Sequence, residues 1–185
     1  DEAQHDVVIS RATFVGRTEV TQGQWKAATG GTNPSCFQST SGTSCTTSNA
    51  NNSGPVEKVD WWSSAAYANW LSEQAGLTRC YTFTPSNWDR TVSNWSDGNG
   101  GNGTPATNVT FSGVSCTGYR LLTEAEWEWS ARGGTTTSTY GGNLQSPYDC
   151  ESQPNLNGIA WYCGNSGNRT QAVGGKTANA YGLRD

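Results

Sequence analysis

The chain has 185 residues, a formal net charge of −4 at pH 7 and only 33% hydrophobic residues. That length suits one domain with a real core, and an acidic balance without a basic run argues against nucleic acid and anionic membranes as partners. No apolar stretch approaches the roughly 18 residues that span a bilayer, so we expect no membrane span. Nine Trp, seven Tyr and four Phe among many Gly, Ser, Thr and Asn residues predict a loop-rich chain with an aromatic core.

The first two predicted elements are helices with recognisable caps. Thr21 is followed three residues later by Gln24, which is the spacing of a capping box, and Gly30 provides a stop. The stretch VDWWSSAAYANWLSEQAG predicts a longer helix, because its apolar residues recur at helical spacing. Either Asp60 or Ser63 can cap this second helix.

The polar segment between Cys80 and Cys116 fits no helical pattern. We expect a loop or ragged hairpin there, closed at its base by a disulfide between the two cysteines. From Gly133 onward, turn residues recur so often that we expect only short strands, such as Ile159–Tyr162.

The stretch GYRLLTEAEWEWSARGG, residues 118–134, could be an acid-rich active-site helix or a structural helix. Thr123 and Glu126 have the spacing of a capping box, and the charges at both ends complement the helix dipole. Leu122, Trp127 and Ala131 are expected to form a buried stripe. Because nearly every charge has a role in building the helix, we interpret this segment as a scaffold helix.

Six cysteines lack the CxxC spacing of zinc or redox sites. An even number in a loop-rich chain predicts disulfides and an oxidising compartment, and hence a secreted or extracytoplasmic protein. Six cysteines permit 15 pairings, and the alternative is free buried thiols. Local loop closure favours pairing in sequence order: Cys36–Cys45, Cys80–Cys116 and Cys150–Cys163.

Common enzyme signatures are absent from the sequence, and no catalytic residue is predicted. The GNGGNG stretch at residues 98–103 neither follows an apolar strand nor opens a helix, which a phosphate-binding loop requires. The only histidine is His5, so zinc sites with two histidines are excluded. In an exported protein the sequons could carry glycans at Asn51, Asn94, Asn102, Asn108 and Asn168.

Four segments resemble, in this order, the formylglycine-generating-enzyme (sulfatase-modifying factor) family: GRTEVTQGQWKAATGGTNPSCF, GPVEKVDWWSSAAYANWLSEQAGL, GYRLLTEAEWEWSARGG and VGGKTANAYGLRD. The resemblance implies one domain over residues 1–185 with an α+β, C-type lectin-like fold of few helices and short twisted strands. Members usually begin one strand earlier and continue past YGLRD, so the domain is expected to lack the family's first strand and its C-terminal part.

The resemblance also implies bound ions. It predicts a structural calcium ion, with side-chain oxygens from Asn155 and Asn165 and backbone carbonyls from Leu156 and Gly167. The copper-binding cysteine pair of the true enzymes lies beyond YGLRD, so copper is not expected in this chain.

Three functions remain open at this stage. The first is an exported, non-catalytic module that binds a protein or a saccharide, has a structural role, or assembles with copies of itself or with the missing C-terminal part of the domain. The second is the N-terminal part of a copper-dependent oxidase that converts sulfatase cysteines to formylglycine. The third is a calcium-dependent saccharide-binding lectin, because the run from Gln153 to Asn155 is similar to a calcium motif of sugar-binding C-type lectins. Trp88 and Trp95 could stack on sugars, or they could fold back over the core.

Overall fold

The computed structural model of the chain describes residues 6–37, 51–95, 106–145, 150 and 153–185. These ranges contain few helices, short strands and much irregular chain, as predicted, and no helix in them is long and apolar enough to cross a membrane. The α-helices are α1 (Gln22–Thr29), α2 (Trp61–Gln74), α3 (Glu124–Arg132) and α4 (Pro154–Asn157), and the strands are β1 (Tyr81–Thr84) and β2 (Asn108–Phe111). Short 3-10 helices lie at Asn51–Ser53, Trp88–Arg90 and Val92–Asn94.

The chain divides into two compact units, which we describe separately. Unit 1 consists of Asp1–Glu19, Leu122–Gly167 and Val173–Asp185, and unit 2 consists of Val20–Leu121 and Asn168–Ala172. The single domain over residues 1–185 stays a prediction.

The two helices of unit 2 begin at the residues that the sequence indicates. The Thr21 hydroxyl accepts from the Gln24 amide over 3.2 Å, and the Gln24 side chain accepts from the Thr21 amide over 2.9 Å. Gly30 ends α1 in the left-handed conformation, with φ of 66°. Of the two candidate caps of α2, Asp60 acts, because its carboxylate accepts from the Ser63 amide over 2.7 Å. The predicted caps are therefore confirmed.

The segment between Cys80 and Cys116 contains the predicted hairpin. Strands β1 and β2 pair antiparallel, with Tyr81 opposite Phe111, and the disulfide Cys80–Cys116 lies next to that end of the ladder. The disulfide joins residues whose Cα atoms are 5.7 Å apart. A covalent bond thus closes the base of this long excursion.

The core of unit 2 is aromatic. Trp25 stacks on Tyr67 with ring centroids 5.2 Å apart, and Phe83 stacks on Trp88 at 5.1 Å. Trp95 meets Trp25 edge to face. All five side chains are buried, so Trp88 and Trp95 do fold back over the core.

Unit 1 buries far less apolar surface. Among its described residues, Ile159 is the one apolar side chain that is fully buried. The strand predicted at Ile159–Tyr162 does not form, because the amides of Ile159 and Ala160 both donate to the Leu156 carbonyl and continue the turn of α4. The disulfide Cys150–Cys163 forms as predicted. Unit 1 therefore relies on turns and a covalent bond more than on a core.

The third predicted disulfide is only partly described. Cys36 is disulfide-bonded, whereas Cys45 lies outside the described residues. The pairing Cys36–Cys45 stays a prediction, and the alternative of free buried thiols is wrong for the described cysteines.

Candidate functional site

Unit 1 has a pair of adjoining clefts. They have volumes of about 340 and 420 Å³, and they share Trp127, Ala131, Tyr140 and Asp185. We call this surface the Trp127 groove. Apolar side chains contribute much of its wall, namely Val15, Leu122, Leu156, Ile159 and Leu183. Its size is in the range of ligand-binding clefts in proteins.

Helix α3 presents Trp127 to solvent, which corrects the predicted buried stripe. Trp127 is 63% exposed, and the buried residues of α3 are instead Glu126 and Ser130. The capping box explains this orientation, since the Glu126 carboxylate must turn back to accept the Thr123 amide over 2.9 Å. Successive helix residues are about 100° apart, so the residue after Glu126 faces away from the buried side.

Asn179 fixes the segment after residue 173 to the end of α3. Its side-chain amide donates to the Ser130 carbonyl over 2.8 Å, and its oxygen accepts from the Tyr181 and Leu183 amides at 2.9 and 3.1 Å. A Cβ at Gly133 would lie 2.9 Å from the Asn179 Cβ, so this close approach requires glycine. The role of Asn179 is not predictable from the sequence, because a single polar residue gives no local signal of distant partners.

A second aromatic surface lies on the same helix. Trp129 stacks on Tyr181 with ring centroids 4.7 Å apart, yet the two side chains remain 51% and 46% exposed. Large aromatic side chains usually bury most of their area in a core. Trp127, Trp129 and Tyr181 are thus three exposed aromatic side chains on or beside α3.

Charged residues line the 340 Å³ cleft of the Trp127 groove, among them Arg17, Glu19, Arg184 and Asp185. The Arg184 amide donates to the Arg17 carbonyl over 3.0 Å, and the Asp185 carboxylate accepts from the Lys176 amide over 2.9 Å. The pKa of Glu19 is raised, first because the surrounding chain desolvates its carboxylate and also because Asp185 is negative. Burial and the same aspartate raise the pKa of Tyr140, whose hydroxyl lies 2.7 Å from the Thr177 carbonyl.

The described part of the chain shows no evident metal centre. Among the described residues, no group of three or more His, Cys, Asp or Glu side chains could hold a metal ion. The described cysteines are bonded in disulfides and supply no thiolate, so they do not fit a copper(I) site, which prefers soft thiolate ligands. The absence of copper from this chain stays a prediction.

The four predicted calcium ligands lie in or near α4, and their groups are largely engaged in hydrogen bonds. The Asn155 amide donates to Asn143, and the Asn165 side chain both donates to Ala160 and accepts from the Tyr162 amide at 3.0 Å. The Leu156 carbonyl already accepts two amides. Gly167 has a φ of 65°, and no bond of its carbonyl is described. Because all four donors are uncharged, they fit at most a weak calcium site.

The predicted glycan acceptors differ in accessibility. Asn108 on β2 and Asn168 are exposed. Asn94 is half-buried, and its amide donates to the Trp88 carbonyl over 3.0 Å, which disfavours a glycan at that nitrogen. Asn102 lies outside the described residues, as do His5 and the GNGGNG stretch, and the side chain of Asn51 is likewise not described. Modification of these sites stays a prediction.

The chain matches a known protein family and a related protein in sequence. The profile of the Sulfatase-modifying factor enzyme 1-like domain matches residues 1–185. Chaperone protein LppX of Paenibacillus barcinonensis is 30% identical over 192 residues, which cover 93% of this chain and 58% of LppX.

Two solved structures are similar over most of the chain. Treponema denticola variable protein 1 is 34% identical with a TM-score of 0.66, and the match covers 90% of this chain and 55% of that one. CarF is 26% identical with a TM-score of 0.54, and the match covers 91% of this chain and 62% of that one. The predicted fold class is confirmed as α+β and C-type lectin-like. The chain thus spans 55% to 62% of the length of these relatives.

Proposed function

This chain belongs to the sulfatase-modifying factor enzyme 1-like domain family, and from that premise we propose that it is an exported, non-catalytic scaffold domain that binds protein. The partner is an apolar segment of another polypeptide, and it docks in the Trp127 groove. The single observation that carries the proposal is the exposure of Trp127 in the wall of a large cleft.

The exposed aromatic surface supports a protein partner. Interface centres are enriched in Trp and Tyr, which bury large areas when a partner excludes water from them. Trp127 and Tyr140 line the groove, and the stacked pair Trp129 and Tyr181 extends the apolar surface of unit 1 beyond it. An indole that is 63% exposed leaves most of its area for a partner to cover.

The choice of an apolar polypeptide segment rests on two further points. A relative that is 30% identical is named a chaperone protein, and chaperones bind exposed apolar segments of other proteins. The carboxylates of Glu19 and Asp185 lie beside the apolar walls and can accept hydrogen bonds from backbone amides or basic side chains of such a segment.

Export is supported by covalent structure. The disulfides Cys80–Cys116 and Cys150–Cys163 persist in oxidising compartments and are rare in reducing ones. Each closes a loop and so restricts the unfolded chain, and for that reason both units would lose stability under reduction.

The proposal is tested by the aggregation of thermally unfolded citrate synthase, followed by light scattering. The wild-type chain should suppress scattering, and Trp127→Ala should need about a tenfold higher concentration for the same effect. Trp61 on α2 of unit 2 is 51% exposed, so Trp61→Ala is a control of the same residue type and similar exposure. It should match the wild type.

Three results would overturn the proposal. If the wild-type chain did not suppress aggregation, unfolded polypeptides would be excluded as partners. If Trp127→Ala and Trp61→Ala lost the same share of that activity, the groove would not be the binding site. Sedimentation that gave a dimer dissociated by Trp127→Ala would assign the groove to a second copy of this chain instead.

A further inference from the structure

Unit 2 has a cleft of its own, with a volume of about 260 Å³. We call it the Trp70 cleft. Two indoles contribute to its lining, those of Trp70 and Trp95, and polar side chains complete it: Asn69, Glu73, Asp89 and Arg90. A single water occupies about 30 Å³, and drug-sized ligands occupy clefts above about 300 Å³. The cleft therefore has room for one small ligand.

The charges of the Trp70 cleft are balanced. Glu73 is bonded to Arg90 over 2.7 Å and lies 3.6 Å from the Arg79 guanidinium, which in turn bonds the Asp89 carboxylate. Two carboxylates and the Arg90 guanidinium line the cleft, and Arg79, which lies outside the lining, balances the remaining charge through its ion pairs with Glu73 and Asp89. A ligand with a net charge of either sign would lose hydration without gaining a net attraction here. This argues against metal cations, phosphates and charged peptides.

One acceptor and one donor of this network have no hydrogen-bond partner among the described residues, namely Asp89 Oδ1 and Arg79 Nε. Asp89 is buried, and its Oδ2 accepts from Asn69 and Arg79, whereas no described residue donates to its Oδ1. Leaving a buried carboxylate oxygen without a donor is costly, so a donor from a ligand would be stabilised there. Because Oδ1 is itself inaccessible to solvent, the ligand reaches it only when a neighbouring side chain of the cleft moves aside. A hydroxyl group can supply that donor without adding charge.

We propose that the Trp70 cleft binds one residue of a neutral saccharide. A sugar ring places its C–H face against the indole of Trp70 while its hydroxyls donate to the Asp89 and Glu73 carboxylates. The combination of an aromatic wall, a buried acceptor and balanced charge favours a polyhydroxylated neutral ligand over any charged one. This site involves neither the predicted calcium ligands nor the Trp127 groove, and it stands independently of the protein-binding function.

The test uses methyl glycosides of glucose, galactose, mannose and N-acetylglucosamine as probes. Saturation-transfer NMR on the full chain should detect at least one of them, with a dissociation constant of about 1 mM, as expected for so small a ligand. Trp70→Ala should weaken binding about tenfold, and Trp70→Phe, which keeps an aromatic wall, should weaken it by less. Trp127→Ala should bind the sugar like the wild type.

The indole N–H signals provide a readout that needs no substitution in the cleft. In wild-type protein the signals of Trp70 and Trp95 should shift with added sugar, while those of Trp61 and Trp127 stay in place. This measurement decides the matter even where Trp70→Ala does not fold. The proposal would be overturned if none of the four glycosides gave a saturation-transfer signal. It would also be overturned if only the indole N–H signals of tryptophans outside the cleft shifted.

Discussion

The side-chain amide of Asn69 donates a hydrogen bond of 2.7 Å to the carboxylate of Asp89, and both side chains are buried. The same amide donates to the Tyr81 carbonyl over 2.8 Å, and the Asn69 oxygen accepts from the Tyr81 amide. One residue of α2 therefore bonds the backbone of β1 and one carboxylate oxygen of Asp89, in the 3-10 helix Trp88–Arg90 that follows. We regard it as the polar anchor of unit 2.

Replacing this anchor should be costly. Asn69→Leu leaves the Tyr81 amide and carbonyl without partners and removes a donor from Asp89, so we expect the free energy of unfolding to fall by about 3 kcal/mol or more. Urea denaturation followed by tryptophan fluorescence measures it. Asn108→Ala, at an exposed position of β2, is the control and should change stability by less than about 0.5 kcal/mol. Similar losses in the two variants would contradict the anchor role.

The capping box of α3 gives a second prediction. Thr123→Ala removes the hydroxyl that accepts the Glu126 amide, and we expect a loss of about 1 kcal/mol. Thr123→Ser keeps the hydroxyl and should restore most of that stability. Since the same box turns Glu126 inward and Trp127 outward, Thr123→Ala should also change the fluorescence of Trp127. An alanine variant as stable as the serine variant would be the contrary result.

The raised pKa of Glu19 predicts a pH-dependent effect. A carboxyl whose pKa in the folded chain exceeds its ordinary value of 4.5 holds its proton more tightly when folded. Its contribution to stability is therefore lost as pH rises from about 4.5 through the raised pKa. Glu19→Gln removes this loss, so the variant should melt higher than the wild type at about pH 7 and equally at about pH 3.

The rise in melting temperature expected for Glu19→Gln is small, and a second exposed acidic residue provides its control. Part of the Glu19 side chain remains accessible to solvent, so screening keeps the gain small. Asp6→Asn, at another exposed position, controls for the removal of one negative charge. A Glu19→Gln variant that melts below the wild type at neutral pH would show that this carboxylate is stabilising.

Calcium should bind weakly where the family resemblance predicts it. The uncharged donors around Asn155 and Asn165 lead us to expect a dissociation constant of about 1 mM or weaker. The melting midpoint should rise modestly in about 10 mM calcium relative to excess chelator, since an ion that binds the folded state stabilises it. Asn165→Asp adds a charged ligand and should enlarge the difference between the two conditions. Identical midpoints in calcium and chelator for both proteins would refute the site.

Local sequence patterns predicted much of this fold. The caps at Thr21, Asp60 and Thr123 follow from residues three positions apart, and the hairpin between Cys80 and Cys116 follows from cysteine spacing and polarity. Such features depend on neighbours along the chain, and for that reason they can be read without tertiary structure.

The groove could not be predicted in the same way. Helical periodicity places Trp127 on a face with Leu122 and Ala131, but it does not say whether another element covers that face. The bonds that the side-chain amides of Asn69 and Asn179 donate join positions 12 to 49 residues apart, which no local pattern reports. The short strand expected at Ile159–Tyr162 does not form, because the amides of Ile159 and Ala160 donate to the Leu156 carbonyl of α4.

The most direct measurement of the protein-binding claim is photocrosslinking from position 127. Trp127 is replaced by the photoreactive aromatic residue benzoylphenylalanine, and the full chain is irradiated with thermally unfolded citrate synthase. The same replacement at Trp61 is the control, because that side chain is exposed to a similar extent on unit 2. We predict client adducts from position 127 and few from position 61. Equal yields at the two positions, or adducts from position 61 alone, would contradict docking in the Trp127 groove.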